Sequence, residues 1–132
     1  MKKTASQLCL ENCCLAIGDI DDFKRINDTY GHLCGDAILK QLAEHMRTRL
    51  DPAIFICRWG GEEFVFLFHD IREQDALQQL QDFCHWMNHT EFQYGEQNIP
   101  VTMTFGICCH QRLSLDELIN KADQLLYQGK QK

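Results

Sequence analysis

Basic residues are in short supply. Thirteen Lys and Arg face nineteen Asp and Glu, giving a net charge of −6, so charge-driven binding to nucleic acid or to an anionic membrane is excluded. Long apolar runs are missing as well. None approaches the ~20 residues of a membrane span, and the basic start Met1-Lys2-Lys3 leads into a stretch too short and too polar for a secretory signal. No Gly-rich Walker loop occurs. No Cys-x-x-Cys spacing occurs either, so zinc held by spaced cysteine pairs is unsupported. These absences leave an acidic chain expected in the cytoplasm, with no nucleic-acid partner and no direct membrane contact. Such a chain can still bind a nucleotide when Mg²⁺ neutralises part of the phosphate charge.

Cysteine, by contrast, is abundant. The eight residues Cys9, Cys13, Cys14, Cys34, Cys57, Cys84, Cys108 and Cys109 lie largely in apolar runs and read as small buried hydrophobes in a reducing compartment. At 132 residues and 45% apolar content, the chain is sized for one domain with a real core. Residues 1–12 show no decisive pattern and form a lead-in, helical or disordered. The domain proper runs over 13–132.

Cys13-Cys14-Leu15-Ala16-Ile17-Gly18 is a continuous apolar run, the pattern of a strand buried on both faces, and it ends at the acid Asp19. A short amphipathic helix is expected from Asp21, ended by Gly31. A longer one over 35–50 places Ile38, Leu42, Met46 and Leu50 on one stripe, and Asp51-Pro52 stops it. Two apolar runs around Gly60-Gly61 read as a hairpin with a tight turn, in which glycine backbone angles would be used. Residues 73–88 read as a helix facing inward through Leu77, Leu80, Cys84 and Met87. A second hairpin is expected to pair 92–94 with one long strand over 99–107. Ser114-x-x-Glu117 is a capping box opening a last helix. The element order predicts an α+β fold, a mostly antiparallel central sheet flanked by helices.

Chemistry is suggested by three acids: Asp19 after the first strand, and Glu62 and Glu63 in the hairpin turn. Taken singly, each is more simply a helix cap or a solvated charge. If the hairpin lies beside the first strand, however, all three meet at one sheet edge, a place for Mg²⁺ and a nucleotide's phosphates. Lys24 sits about one helical turn from Asp19, within reach of a phosphate. Asn27 and Asp36 can pair with the donors of a guanine, a contact that discriminates strongly because a wrong base leaves buried groups unpaired.

Two blocks of residues carry a family resemblance. Asp19-Ile20-Asp21-Asp22-Phe23-Lys24-Arg25-Ile26-Asn27-Asp28-Thr29-Tyr30-Gly31-His32, followed by Gly35-Asp36, resembles the first block of the GGDEF domain. Arg58-Trp59-Gly60-Gly61-Glu62-Glu63-Phe64 resembles its naming motif in the Glu variant, and Thr104-Phe105-Gly106-Ile107 and Ala122-Asp123-x-x-Leu126-Tyr127 also match. The resemblance implies a palm-like nucleotidyl cyclase fold and a diguanylate cyclase that condenses two GTP into cyclic di-GMP across a homodimer. It implies Mg²⁺, with Mn²⁺ as a substitute, held by Asp19, the carbonyl of Ile20 and Glu62. Glu62 would also accept the hydroxyl proton, and Glu63 would lie beside the metals. Lys24, Arg58 and Lys130 would stabilise the phosphates, Asn27 and Asp36 would read guanine, and Gly60 and Gly61 would leave room for the nucleotide.

The family's usual upstream Asp-x-Leu-Thr-Gly-Leu-x-Asn-Arg-Arg element and its late Gly-Arg-Asn find no counterpart. The expectation is a trimmed chain with weakened GTP binding, attached to or regulated by a sensory domain elsewhere. An Arg-x-x-Asp feedback site is replaced by Asp51, Pro52, Ala53 and Ile54, so product inhibition through it is expected to be absent. The alternative to the enzyme is a catalytically weak or inactive module of the same fold that binds GTP or a protein partner.

Overall fold

The first apolar run forms the strand at the heart of the protein. The computed structural model describes residues 13–110 and 115–130; the lead-in 1–12 and Ser114 of the expected capping box lie outside them. β1 (Cys13–Ile20) is buried along nearly its whole length. It is followed by α1 (Phe23–Tyr30) and α2 (His32–Arg49), and by the antiparallel pair β2 (Phe55–Arg58) and β3 (Glu63–Phe68). Next come α3 (Glu73–Asn88), β4 (Glu91–Tyr94), β5 (Gln97–Pro100), β6 (Met103–His110) and α4 (Leu115–Lys130). The main sheet runs β2-β3-β1-β6, with every neighbour antiparallel. The expected α+β class and antiparallel sheet are what the structure shows.

Strand alternation divides the core in two. Cys14, Ala16 and Ile20 join Phe64, Phe66 and Phe68 and the inner stripes of α2 and α3. On the other face Cys13, Leu15, Ile17 and Val65 meet Ala122 and Leu126 of α4. The α2 stripe is as expected: Ile38, Leu39, Leu42, Met46 and Leu50 are all buried. Gly31, at φ 95, separates α1 from α2. Gly106 lets α4 approach β6 so closely that a Cβ there would collide with the main chain at Ala122 and Leu126.

Four expectations need correcting. The strand over 99–107 is two strands. β4 and β5 form a separate two-stranded sheet, while β6 lies beside β1 in the main one. Pro100 has no N–H to extend the ladder, and the Thr102 carbonyl instead accepts from the Asp21 N–H at 2.9 Å. In α3 the buried stripe is Ala76, Leu80, Phe83 and Met87, with Leu77 39% exposed; the larger Phe83 takes the inward position. The expected backbone role of the glycine pair is also absent: Gly60 and Gly61 are not among the positive-φ glycines, which are Gly31 and Gly95. Finally, the cysteines are not all simple hydrophobes. Cys14 and Cys109 stand opposite each other in the β1–β6 register and are joined in a disulfide. No described helix is long and apolar enough to cross a membrane.

Candidate active site

The carboxyl end of β1 meets the hairpin turn as the clustering of acids required. Asp19 stands opposite Glu63 on β3 and opposite Thr104 on β6. The Ile20 N–H donates to the Glu62 carbonyl at 3.3 Å, which ties the turn to the strand end. Within the turn the Trp59 and Gly60 N–H groups both donate to the Glu63 carbonyl, at 2.8 and 3.3 Å. A Cβ at Gly61 would meet nothing within 4 Å, and one at Gly60 only the Glu63 side chain. The pair therefore leaves open ground beside the acids, which is how glycine serves this turn.

Burial is the main force raising the carboxyl pKa of Asp19, Glu62 and Glu63 above the ordinary range. Repulsion from Asp19 adds to it at both glutamates, and Lys130 partly offsets it at all three. Like charges that gather at one edge with each pKa pushed upward form a place that favours a cation. The donor set is all oxygen: three carboxylates and the Ile20 carbonyl close by. That set suits a hard ion such as Mg²⁺, which binds through one or two carboxylates and keeps water and phosphate as its other ligands. Among the described residues no group of three or more His, Cys, Asp or Glu is arranged to hold a metal ion by itself, so an ion at this edge would need phosphate and water for its remaining ligands.

One group at this edge escaped the sequence reading. Asp21 does not cap α1. The residue at the helix start is Asp22, at φ 54 and without a side-chain cap. The Asp21 carboxylate instead accepts from the Thr102 hydroxyl at 2.7 Å, the Thr104 hydroxyl at 2.6 Å and the Lys130 ammonium at 2.6 Å. Burial acts to raise its pKa, but Lys130 and the two threonines outweigh it and hold the carboxyl below the usual range. Lys130 also leans toward Asp19, 3.5 Å from its carbonyl and 3.8 Å from Oδ1. The alternation of small polar residues on β6 was visible in the sequence. Its partner Asp21, 81 and 83 residues away from the two threonines, was not.

The other sequence-predicted residues fall in two places. Lys24 is exposed in the first turn of α1, with no ion pair to a carboxylate among the described residues. Arg58 is engaged by the turn itself: its Nε is 3.1 Å from the Gly60 carbonyl, and its Nη2 is 2.6 Å from that of Gly61. Asn27 packs its amide against Gly35, where any Cβ would overlap Oδ1, and that oxygen is buried with no partner. Asp36 follows Gly35 and is exposed. It shares with Leu39, Arg47, Ile56, Arg58 and Phe64 the lining of a cleft of about 610 Å³ between α2 and β2. The carboxylate edge lies outside that lining. Two subsites result, an apolar cleft with polar groups and an acidic edge, with Arg58 and the hairpin turn between them.

This architecture has counterparts among known proteins. The family profile described as "Diguanylate cyclase, GGDEF domain" matches residues 3–132. The chain is 34% identical over 121 residues to diguanylate cyclase DgcZ of Escherichia coli, and 39% identical over 117 residues to diguanylate cyclase DgcP of Pseudomonas aeruginosa. These matches take in 91% and 88% of this chain, which spans 41% and 17% of those relatives' lengths. The crystal structure of the GGDEF domain of DgcB from Caulobacter crescentus in complex with c-di-GMP superposes with a TM-score of 0.84 at 28% identity. That superposition covers 90% of this chain and 72% of that one.

Proposed function

The chain belongs to the GGDEF family of diguanylate cyclases, and from that premise we propose that it condenses two GTP molecules into cyclic di-GMP with release of two pyrophosphates. The observation that carries this reading is the convergence of Asp19, Glu62 and Glu63 at one sheet edge, with raised pKa values and an ammonium leaning in. Mg²⁺ bound there, held by Asp19, the Ile20 carbonyl and Glu62, would draw charge from the reacting phosphates. Mn²⁺ would substitute. Glu62 accepts the proton of the attacking 3′-hydroxyl, a task suited to a carboxylate whose pKa is raised toward the working pH. The freed oxygen forms a bond to the α-phosphorus of the second GTP, and the bond to the β-phosphate breaks with pyrophosphate as leaving group. Lys24 and Lys130 balance charge on the phosphates.

Asn27 and Asp36 read the guanine, Asp36 from the cleft lining and Asn27 through the amide whose buried oxygen has no protein partner. Arg58 holds the turn that presents Glu62. Each copy binds one nucleotide, so turnover needs two copies facing each other. Control by a sensory domain fits a chain that spans less than half of the relatives it matches.

The test is incubation with GTP and Mg²⁺ followed by chromatography for cyclic di-GMP. Product is expected, and Glu62→Ala is expected to abolish it while the circular dichroism spectrum is unchanged. No product from a pair of copies held together by a fused dimerising helix would sink the enzyme reading.

A further inference from the structure

Of the acids at the carboxylate edge, Asp21 is the one already saturated. An ionised carboxylate offers roughly four acceptor positions, and three are taken by the Thr102 and Thr104 hydroxyls and by Lys130. Its main-chain N–H is also fixed, to the Thr102 carbonyl. Little capacity remains for a metal, which separates Asp21 from Asp19 two residues before it. The Lys130 ammonium is likewise unevenly held: it makes a short charge-assisted bond of 2.6 Å to Asp21 and only a loose 3.8 Å approach to the Asp19 carboxylate. An ammonium has three donors. With Asp21 as the firm anchor, the others have only the long 3.5 Å bond to the Asp19 carbonyl and the loose approach to its carboxylate.

We infer that Asp21 is a positioning residue: its carboxylate, aimed by Thr102 and Thr104, delivers the Lys130 ammonium at the end of α4 to the phosphate side of the Asp19–Glu62 edge. The role rests on the reading of this edge as a GTP site. An unanchored lysine loses most of its rotamer freedom when it captures a phosphate. An ammonium already held at a partly buried carboxylate has lost that freedom beforehand, so more of the phosphate contact appears as affinity. The anchoring also spans the fold: Asp21 and Lys130 lie 109 residues apart, so the bond links the end of the first strand to the last turn of the last helix.

The experiment is a double-mutant cycle on KM and kcat for GTP, and on calorimetric affinity for a non-hydrolysable GTP analogue with Mg²⁺. The proteins are wild type, Asp21→Asn, Lys130→Gln and the double variant. Asp21→Asn and Lys130→Gln are each expected to weaken nucleotide binding about tenfold, the size of one charge-assisted bond. Both are expected to raise KM and to lower kcat/KM by at least that factor, because the ammonium they remove or release also balances charge on the phosphates. The double variant is expected to match Lys130→Gln alone. Thr104→Val keeps the Asp21 charge and serves if Asp21→Asn fails to fold; its smaller rise in KM should also vanish in the Lys130→Gln background. Multiplying effects, or an Asp21→Asn variant that lowers the melting temperature and leaves KM alone, would overturn the role and leave the GTP site standing. Wild-type protein that binds no nucleotide would overturn the reading of the site itself.

Discussion

Gly35→Ala sets stability against recognition in one substitution. Gly35 lies inside α2, where Ala is favoured over Gly by ~1 kcal/mol of helix propensity. Opposing this, the new Cβ would overlap the Asn27 amide and stand 3.1 Å from the Phe23 ring. The amide is the far end of a side chain and can swing away, and its Oδ1 loses no protein partner because it has none. The two effects nearly cancel, so stability is expected to stay within ~1 kcal/mol, or roughly 4 °C in melting temperature for a chain of this size. Recognition is hit harder. An Asn27 carbonyl displaced from its place leaves a guanine donor unpaired in the bound state, which costs about 1–3 kcal/mol, or ~5- to 150-fold in affinity. Discrimination should fall with it, because the unpaired donor is what separates guanine from adenine. The assay is thermal unfolding beside calorimetric titration with GTP and ATP analogues. A melting temperature lowered by many degrees with GTP preference intact would refute the reasoning, since Gly35 would then serve packing alone.

Gly106→Ala puts a Cβ against the main chain of α4 at Ala122 and Leu126, where no side chain can yield. A loss of about 1–3 kcal/mol is expected in denaturant unfolding, and an unchanged midpoint would show that α4 can slide. The raised carboxyls of Asp19, Glu62 and Glu63 favour the fold when protonated, so their contribution is complete below the unfolded pKa of ~4 and is lost as pH climbs through the raised values. Asp21, whose pKa is held low, works the other way and loses its contribution as pH falls. Mg²⁺ should therefore raise the melting temperature more at ~pH 7.5 than at ~pH 5, and an equal gain at both would contradict the carboxylate edge as its site. Last, titration with cyclic di-GMP is expected to show no tight binding at Asp51–Ile54, and a strong isotherm abolished by Asp51→Ala would reverse that.

Periodic and adjacent features were legible in the sequence. The α2 stripe, the apolar β1 run and the hairpin with its acids needed only short-range pattern, and they placed Asp19, Glu62 and Glu63 together. Features that depend on partners far along the chain were not. Asp21 read only as the start of a short helix because its real partners, Thr102, Thr104 and Lys130, lie 81 to 109 residues away. The long strand read over 99–107 alternated correctly through Met103, Phe105 and Ile107, but alternation is blind to which sheet a strand joins. The Cys14–Cys109 pairing likewise follows from strand register, which no local spacing encodes. Arg58 was assigned to phosphate by motif, and its bonds to Gly60 and Gly61 appear only once the turn is built.

The central place of β1 has a cost during synthesis. It is the first described strand to leave the ribosome, yet it needs partners on both sides: β3, and then β6 with Cys109, 95 residues after Cys14. At roughly 5–20 residues per second the second partner arrives some 5–20 s later. Through that interval an apolar strand destined for burial on both faces keeps an open edge, the geometry that recruits other chains. Pairings of such sequence separation also form slowly once the chain is complete. The yield of folded protein should thus depend on translation speed and on holding factors that cover the open edge.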